Sequence, residues 1–302
     1  MRLKVYAYDL AECRLPYWPD GVMTFPNAEY VTNPADADVF ISKAPLDFLM
    51  QRGIHITDLP HFAGNEERHA FFDVSDGNNN IYDQPCLFMR ANCKQSFKER
   101  DVNSIGWPWP VDDFGDMAGL PEGGFKYDVS FHGLRLSQAR LLSTASCEQS
   151  GMKTDMVFHP DFTGYYLPRG NESLEGLRRQ RDFKQSMARC KVALCPEQIA
   201  GDIPYRFYEA MSAGRIPVLI GSNYVLPFAD EINYSAFCVQ IPTSYADNTG
   251  AIIKEFLHGK SDQELHRMGW IGRSYWLQWL HRNDWPKHMQ YSIEKHLEKI
   301  NK

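Results

Sequence analysis

The sequence lacks any run of apolar residues long enough to cross a bilayer, which takes about 18–20 consecutive apolar residues. Its first residues, MRLKVYAYDL, contain no apolar segment of the kind that a secretory signal requires. We therefore expect no transmembrane segment and a cytoplasmic location. Peripheral association with a membrane stays open.

An excess of positive charge is also missing. The chain has 38 acidic and 32 basic residues, and its formal net charge is -6. Proteins that bind nucleic acids without sequence preference need a basic surface to neutralise phosphates. This balance argues against such binding as the main role, and we expect no nucleic-acid partner.

Paired cysteine motifs are absent as well. The seven cysteines are odd in number, and no two of them are spaced as CxxC. Such a set is typical of reduced thiols in a cytosolic protein rather than of a disulfide framework or a structural zinc site. The chain also shows no internal repeat and no low-complexity tract.

What the sequence does contain is the composition of a globular protein, with 43% apolar and 23% charged residues among 302. This length predicts two domains or one large one. The segment 103–124 is rich in glycine and proline, and it resembles a linker or an interdomain crossing. We therefore expect two α/β lobes on either side of residues 105–124.

Apolar segments alternate with segments of helical spacing, which is typical of parallel sheets. In the first half, the predicted strands are RLKVYAYDL, PADADVFIS, a segment near 70–74, and LFMRANC. In the second half they are KYDVSFHG, DMVFHPD, VALCP and IPVLIG, and helices are predicted over SQARLLSTASCEQS, RDFKQSMARCK and PYRFYEAMSA. Residues 261–302 are predicted to be mostly helical, with an interruption at Pro286.

Two charged residues stand out on the helix predicted between VALCP and IPVLIG. That helix should begin near Pro204 and end at Gly214, which suits a left-handed C-terminal position. Arg206 and Glu209 share a face of it. A cation in the first turn opposes the helix dipole, at a cost of about 0.3–1 kcal/mol. Either Asp202 or a bound phosphate could compensate, so a nucleotide site and an ordinary surface ion pair both stay open.

The segment CPEQIAGDIPYRFYEAMSAGRIPVLIGSNYVLPFAD closely resembles the signature of the exostosin-type glycosyltransferases of the GT47 group. The matching elements are Cys195–Pro196, Gly201–Pro204, Arg206, Glu209, Gly214–Val218 and Tyr224–Phe228. KVYAYDL, ADVFIS and DVSFHGLRLSQARLLS are similar to other family segments, but only residues 182–240 carry a specific signal.

This resemblance implies an α/β protein of GT-B architecture, with two Rossmann-like lobes whose parallel sheets face a central cleft. Residues 1–120, joined by a C-terminal helix at about 281–302, would form the acceptor-side lobe. Residues 121–280 would bind the nucleotide sugar.

The resemblance also implies an inverting, metal-independent glycosyltransferase without a cofactor. The expected donor is a UDP-linked sugar, the expected acceptor is a saccharide or lipid-linked saccharide, and the expected role is microbial polysaccharide biosynthesis. A non-catalytic partner subunit of a transferase complex and a retaining GT-B transferase are the alternatives.

By matching positions, Arg206 would hold the diphosphate and Glu209 the ribose. Gly201, Asp202 and Pro204 belong to the loop that would pass near the base or the phosphates.

Gly133 and Arg135 follow the first strand of the same lobe, where the resemblance implies further phosphate contacts. Glu197 departs from the family pattern, because a basic or small residue is common there. Since an acidic group beside a diphosphate is unfavourable, Glu197 is expected to face the base or the donor sugar.

An inverting transfer needs a base near the acceptor hydroxyl. The segment RHAFFDVSDGN resembles the family region that ends a strand of the first lobe, and it offers His69, Asp73 and Asp76. Asp76 is the favoured base because it precedes Gly77, where a strand would open, and His69 is the second candidate. A structural turn is the alternative for Asp76.

Two groups of aspartates could imitate a metal site. One is the pair Asp36 and Asp38 before a predicted strand, and the other lies at Asp112, Asp113 and Asp116. We expect both groups to be solvated and to bind no metal.

Overall fold

The computed structural model describes residues 2–8, 24–73, 82–98, 103–161, 173–198 and 202–302. The chain divides into two compact units. The first unit comprises Met1–Pro110, Asn223–Ala229 and Gln278–Lys302, and the second comprises Val111–Ser222 and Asp230–Leu277. Each unit is built around its own sheet.

The first unit contains a six-stranded sheet with the strand order β2-β1-β3-β4-β5-β6. All neighbouring strands are parallel. The strands are β1 (Leu3–Tyr8), β2 (Ala28–Tyr30), β3 (Val39–Ser42), β4 (His69–Asp73), β5 (Leu87–Arg90) and β6 (Ser104–Gly106). Its first two helices are α1 (Leu46–Gln51) and α2 (Gln95–Lys98).

The second unit contains a five-stranded parallel sheet with the order β11-β10-β9-β7-β8. Its strands are β7 (Tyr127–Leu134), β8 (Thr154–His159), β9 (Cys190–Pro196), β10 (Ile216–Ile220) and β11 (Val239–Ile241). The helices that follow α2 are α3 (Gln138–Gln149), α4 (Leu174–Arg189), α5 (Tyr205–Ser212), α6 (Thr249–Leu257), α7 (Asp262–Tyr275) and α8 (Trp285–Ile300).

The two central strands of the second sheet were predicted from their apolar runs. Every residue of β10 is buried, and so is every residue of β9 except Lys191. This pattern is typical of parallel strands covered on both faces. Between them, Gly214 has φ +63°, which confirms the left-handed position predicted after α5.

Each unit has an apolar core on its sheet. In the first unit, α8 contributes Trp285, Met289 and Ile293 to a cluster that includes Phe72 and Trp107. The start of this helix agrees with the interruption predicted at Pro286, which lies in its first turn. The core of the second unit is formed by side chains of β7, β9 and β10 together with residues of α3, α6 and α7.

The prediction that 103–124 is a linker was incomplete. This segment contains β6, the edge strand of the first sheet, and two buried indoles, Trp107 and Trp109. A three-residue strand is too short to be predicted in a segment so rich in proline and glycine. The boundary between the two units lies within segment 103–124, after Pro110.

The two groups of aspartates make structural contacts. Asp38 Oδ2 accepts a hydrogen bond of 2.8 Å from the Lys4 amide, and Asp113 Oδ1 lies 2.8 Å from Arg273 Nη1. Among the described residues, no helix combines the length and the apolar character that crossing a membrane requires.

Candidate functional site

The second sheet has a topological switch point between β7 and β9. From β7 the chain moves to β8 on one side, and it then returns to β9 on the other side. In open parallel sheets, ligands bind outside the carboxyl ends of the strands at such a point. The residues after β7 and β9 are therefore the first place to look for a site.

Arg206 reaches this edge from the first turn of α5. Its side chain is buried, and its Nη2 atom donates a hydrogen bond to the carbonyl of His132 near the end of β7. The guanidinium carbon lies 4.5 Å from the centre of the Phe131 ring and 5.6 Å from that of Phe183. The cation is thus held at the end of β7 against two aromatic rings.

Gly133 leaves the space that this guanidinium occupies. A Cβ atom at this position would lie 3.1 Å from Arg206 Nη2 and 2.9 Å from Phe131 Cζ. A side chain would force the ring or the guanidinium to move. The structure therefore brings together two residues that were predicted separately, Gly133 and Arg206. Gly133 lies within β7 rather than after it, and Arg206 lies on α5.

Within the part of the chain that the structure describes, Arg206 forms no ion pair with an acidic residue. Its Nε atom is buried without a hydrogen-bond acceptor, and the side chain is only 6% exposed. Asp202, the possible internal partner, forms no ion pair with it. Burying a cation without an ion-pair partner is costly, because the charge loses its hydration. The arrangement favours binding of an anion.

Glu209 lies one turn further along α5 and is half-buried. Burial raises the pKa of its carboxyl to about 7, and Arg206 opposes this rise. Asp112 adds to the rise and Lys184 opposes it. Within the described residues this carboxylate has no hydrogen-bond donor, so it can accept hydrogen bonds from a ligand.

Glu197 follows β9 and is held by three neighbours. Its amide donates to Ile220 O at 2.7 Å, and its carbonyl accepts from Ser137 Oγ at 2.9 Å. Its Oε1 accepts from Thr243 Oγ1 at 2.9 Å. The side chain is therefore tied to the residues after β11 and forms no ion pair with Arg206.

The other predicted donor-site residues lie around the same edge. Arg135 is exposed, with its guanidinium carbon 4.7 Å from the centre of the Phe158 ring. Asp202 and Pro204 are buried ahead of α5, and Pro204 is the N-cap residue rather than part of the first turn. Gly201 lies outside the described residues.

His69, a candidate base, is buried in the first unit. Its Nδ1 lies 2.7 Å from Asn65 O, its Nε2 lies 2.8 Å from Tyr8 Oη, and its ring stacks on Phe40. Burial lowers its pKa. Both ring nitrogens are occupied, so these surroundings favour a packing role. Asp76, the favoured base, lies outside the described residues.

Asp73, the remaining candidate base, is also buried. It lies at the end of β4, where its Oδ2 is 3.4 Å from Arg90 Nε. This buried ion pair joins the ends of β4 and β5, whose residues Asp73 and Arg90 are directly paired in the sheet.

Arg140, in the first turn of α3, was not predicted from the sequence. This side chain is 5% exposed, and its Nη1 donates to Leu134 O at 3.1 Å. Its guanidinium carbon lies 5.9 Å from the centre of the Phe131 ring. The signal was present, because an arginine in a first turn opposes the helix dipole, as was noted for Arg206.

Comparison with solved structures shows which class of fold the chain has. The structure of Anabaena HepE in complex with UDP aligns over 98% of this chain and 100% of its own, with a TM-score of 0.52 and 10% sequence identity. The structure of HepE in complex with UDP-glucose aligns over 85% of this chain and 79% of its own, with a TM-score of 0.50 and 12% sequence identity. The chain has the GT-B fold of glycosyltransferases, as the resemblance implied.

The family model narrows this class. Residues 126–256 match the exostosin GT47 domain, which confirms the resemblance seen in the sequence. A probable glycosyltransferase of Arabidopsis thaliana is 37% identical over 67 residues, which is 22% of this chain and 14% of the relative. Another probable glycosyltransferase of the same plant is 33% identical over 88 residues, which is 29% of this chain and 15% of that relative. The matches thus span about one seventh of these relatives.

Proposed function

We propose that this chain is a glycosyltransferase that moves a sugar from a nucleotide-sugar donor to a saccharide or lipid-linked saccharide acceptor. One observation carries the proposal: Arg206 is buried at the switch point, in space left by Gly133, and no acidic residue that the structure describes forms an ion pair with it. A donor diphosphate supplies the missing anion, and the amides at the start of α5 favour the same charge.

Glu209 is assigned to the ribose of that donor. Its half-buried carboxylate has no donor within the described residues, and it lies one turn from Arg206 on the same helix. Vicinal hydroxyls are suitable donors for a carboxylate. We take the nucleotide to be UDP, because HepE, which shares the fold, was solved with UDP and with UDP-glucose.

The proposed reaction inverts the anomeric centre. The acceptor hydroxyl attacks the anomeric carbon from the side opposite the diphosphate, and a base removes its proton. The bond between this carbon and the diphosphate oxygen breaks, and the nucleoside diphosphate leaves with the bonding electrons. Arg206 would stabilise the charge that develops on the leaving oxygen. Asp76 remains the proposed base, and a cytoplasmic role in microbial polysaccharide synthesis belongs to the same proposal.

The decisive experiment measures the binding of UDP and UDP-glucose to wild type and to Arg206→Ala, by calorimetry and thermal shift. A ligand that binds only the native state raises the melting temperature. We expect Arg206→Ala to fold but to bind both ligands about 10- to 100-fold more weakly, as the loss of a charged hydrogen bond predicts. The control is Arg178→Ala, since Arg178 is exposed and paired with Glu175. Equal affinity in wild type and Arg206→Ala would refute the assignment.

Metal independence is tested separately, by transfer assays in EDTA and with added Mn²⁺. We expect activity to survive EDTA, because arginine rather than a metal ion would neutralise the leaving group. Complete loss in EDTA with rescue by Mn²⁺ would contradict this. NMR of the product identifies the anomer, and retention of configuration would exclude the inverting mechanism. Tight UDP binding without transfer across a donor panel would instead indicate a non-catalytic subunit.

A further inference from the structure

Some buried polar side chains of the first unit have no hydrogen-bond partner in the part of the chain that the structure describes. Such atoms are Asp47 Oδ1, Asn92 Oδ1, Asn92 Nδ2 and Trp107 Nε1. Asp47 follows β3, Asn92 follows β5 and Trp107 follows β6, so all three residues lie past the carboxyl ends of strands. Ligands of open parallel sheets bind outside this edge. Trp107 packs in the apolar core, which leaves Asp47 and Asn92 as candidate ligand groups.

Asn92 is the clearer case, because its whole amide group is without a partner. The side chain is 2% exposed, and neither Oδ1 nor Nδ2 forms a hydrogen bond with a described residue. The backbone on both sides of it is fixed. The Ala91 amide donates to Asp73 O at 2.9 Å, and the Val225 amide donates to Cys93 O at 2.9 Å. Because a buried polar group without a hydrogen bond costs free energy, we expect Asn92 to bind a group from outside the protein.

Asp47 lies beside the switch point of the first sheet. From β1 the chain moves to β2 on one side, and it then returns to β3 on the other side. Asp47 is half-buried in the first turn of α1, which follows β3 and packs against β4. Burial raises the pKa of its carboxyl and Asp73 adds to this rise, whereas hydrogen bonds from the amides of Phe48 and Asp47 lower it. The effect of Asp73 indicates that the two carboxyl groups lie near each other.

Asp73 connects the two candidate groups. It ends β4, whose neighbours in the sheet are β3 and β5, and neighbouring strands lie about 4.8 Å apart. Asp73 is itself paired with Arg90, two residues before Asn92. The groups that remain open at this edge are therefore a carboxylate oxygen, which accepts hydrogen bonds, and an amide, which both donates and accepts them.

We propose that Asp47 and Asn92 bind hydroxyl groups of the saccharide acceptor. A sugar hydroxyl both donates and accepts hydrogen bonds, so it complements the carboxylate and the amide. A phosphate or carboxylate group of a ligand does not, because the Asp47 oxygen needs a donor. This inference rests on the proposed function, since it names the residues that hold the acceptor of that reaction. Both residues position the acceptor, and removal of its proton stays with Asp76.

An ordered water is the alternative partner for these groups. If Asn92 only holds a water that completes the fold, its replacement by leucine destabilises the unit and leaves saccharide binding unchanged. If Asn92 binds the acceptor, leucine removes a buried amide that the free protein leaves without a partner. Stability should then be kept or increased while saccharide binding is lost. The two explanations therefore predict opposite results.

Saturation-transfer NMR on the full chain tests this, with D-glucose, D-galactose, D-mannose and N-acetyl-D-glucosamine as probes. The variants are Asn92→Leu and Asp47→Asn, and Asn283→Leu is the exposed control. The sugar that binds wild type most tightly should bind Asn92→Leu about tenfold more weakly. Asp47→Asn should show a smaller loss, because its amide oxygen can still accept. The urea midpoint of Asn92→Leu should stay at or above that of wild type. Where Asn92→Leu does not fold, Asp47→Asn carries the test.

UDP affinity in the same variants separates this inference from the proposed function. It should be unchanged in both, because the candidate donor residues belong to the second unit. If wild type binds UDP but none of the sugars, or if Asn92→Leu binds them like wild type, the inference is overturned and the proposed function stands. A lower urea midpoint with unchanged sugar binding would assign Asn92 to an ordered water. If wild type binds neither UDP, UDP-glucose nor any of the sugars, both proposals fall.

Discussion

At the scale of the residue, Glu209 links burial to ligand chemistry. Burial raises the pKa of its carboxyl to about 7, and the nearby Arg206 limits that rise. A raised carboxyl pKa means that the folded protein disfavours the ionised form. If ribose hydroxyls donate to Glu209, the ligand favours the ionised form, so binding and deprotonation reinforce each other.

This linkage predicts that UDP-glucose binds more tightly as the pH rises from 6 to 8. If only the ionised form binds, the affinity changes roughly tenfold across this range, since the ionised fraction rises from a minority to nearly all. UDP-glucose is a suitable probe because its diphosphate diester does not titrate there. Glu209→Gln cannot ionise and should give a flat profile in calorimetry. A flat profile in wild type would contradict the ribose assignment.

Gly133 supports a second prediction at this scale. A Cβ at this position would lie 3.1 Å from Arg206 Nη2 and 2.9 Å from Phe131 Cζ, so Gly133→Ala must displace the ring or the guanidinium. We expect UDP affinity to fall roughly tenfold, a loss comparable to that of one charged hydrogen bond. Gly119→Ala is the matched control, because a Cβ there meets no atom within 4 Å. Equal affinities in the two variants would exclude this role.

At the scale of the element, Arg215 joins the ends of two helices to the segment before β7. This arginine is 1% exposed and stacks on Phe125. It donates hydrogen bonds to the carbonyls of Met117, Gly119, Met187, Ala188 and Gly214. The last carbonyls of a helix have no partner within the helix, and a cation suits that end of the dipole.

Arg215→Met should therefore lower the free energy of unfolding by about 3 kcal/mol or more, because several buried carbonyls lose their donors at once. Urea denaturation measures this loss. The control is Arg178→Met, an exposed arginine whose ion pair should be worth less than about 1 kcal/mol. If both variants unfold at the same urea concentration, the cluster around Arg215 does not stabilise the unit.

Some strands could be predicted from the sequence and others could not. β9 and β10 were predictable because they are long apolar runs, and Gly214 marks the end of the helix between them. β2 and β11 were missed because three-residue edge strands, AEY and VQI, are too short to show a period. β6 was missed because it is a three-residue strand within a segment rich in proline and glycine.

Some residues of the candidate site could likewise be predicted from the sequence and others could not. Arg206 and Glu209 could be found from their spacing on a predicted helix and from the family signature. Arg140 has the same first-turn position as Arg206, but its contact with Phe131, a residue on another element whose ring both arginines contact, could not be inferred from the sequence. The hydrogen bonds of the His69 ring could not be predicted from the sequence either, since its partners Asn65 and Tyr8 come from different segments.

At the scale of the whole molecule, the first unit is assembled from three separate stretches of chain. Its core is completed by α8, whose Trp285 lies 5.7 Å from Phe72 and 6.0 Å from Trp107, measured between ring centres. Residues 223–229 also belong to this unit and place Phe228 against Trp107. Folding of the first sheet therefore depends on residues near the end of the sequence.

Trp285→Ala tests whether the apolar cores of the two units unfold independently of each other. Removing this fully buried indole should cost about 3–5 kcal/mol, through lost burial and the cavity left behind. In hydrogen–deuterium exchange, we expect faster exchange in β1, β4 and β5 but unchanged protection in β9 and β10. UDP affinity should stay near that of wild type, because Arg206, Glu209 and Gly133 all belong to the second unit. Trp270→Ala is the control, since that indole is 48% exposed. If Trp285→Ala also removes protection from β9 and β10 and abolishes UDP binding, the two cores unfold as one.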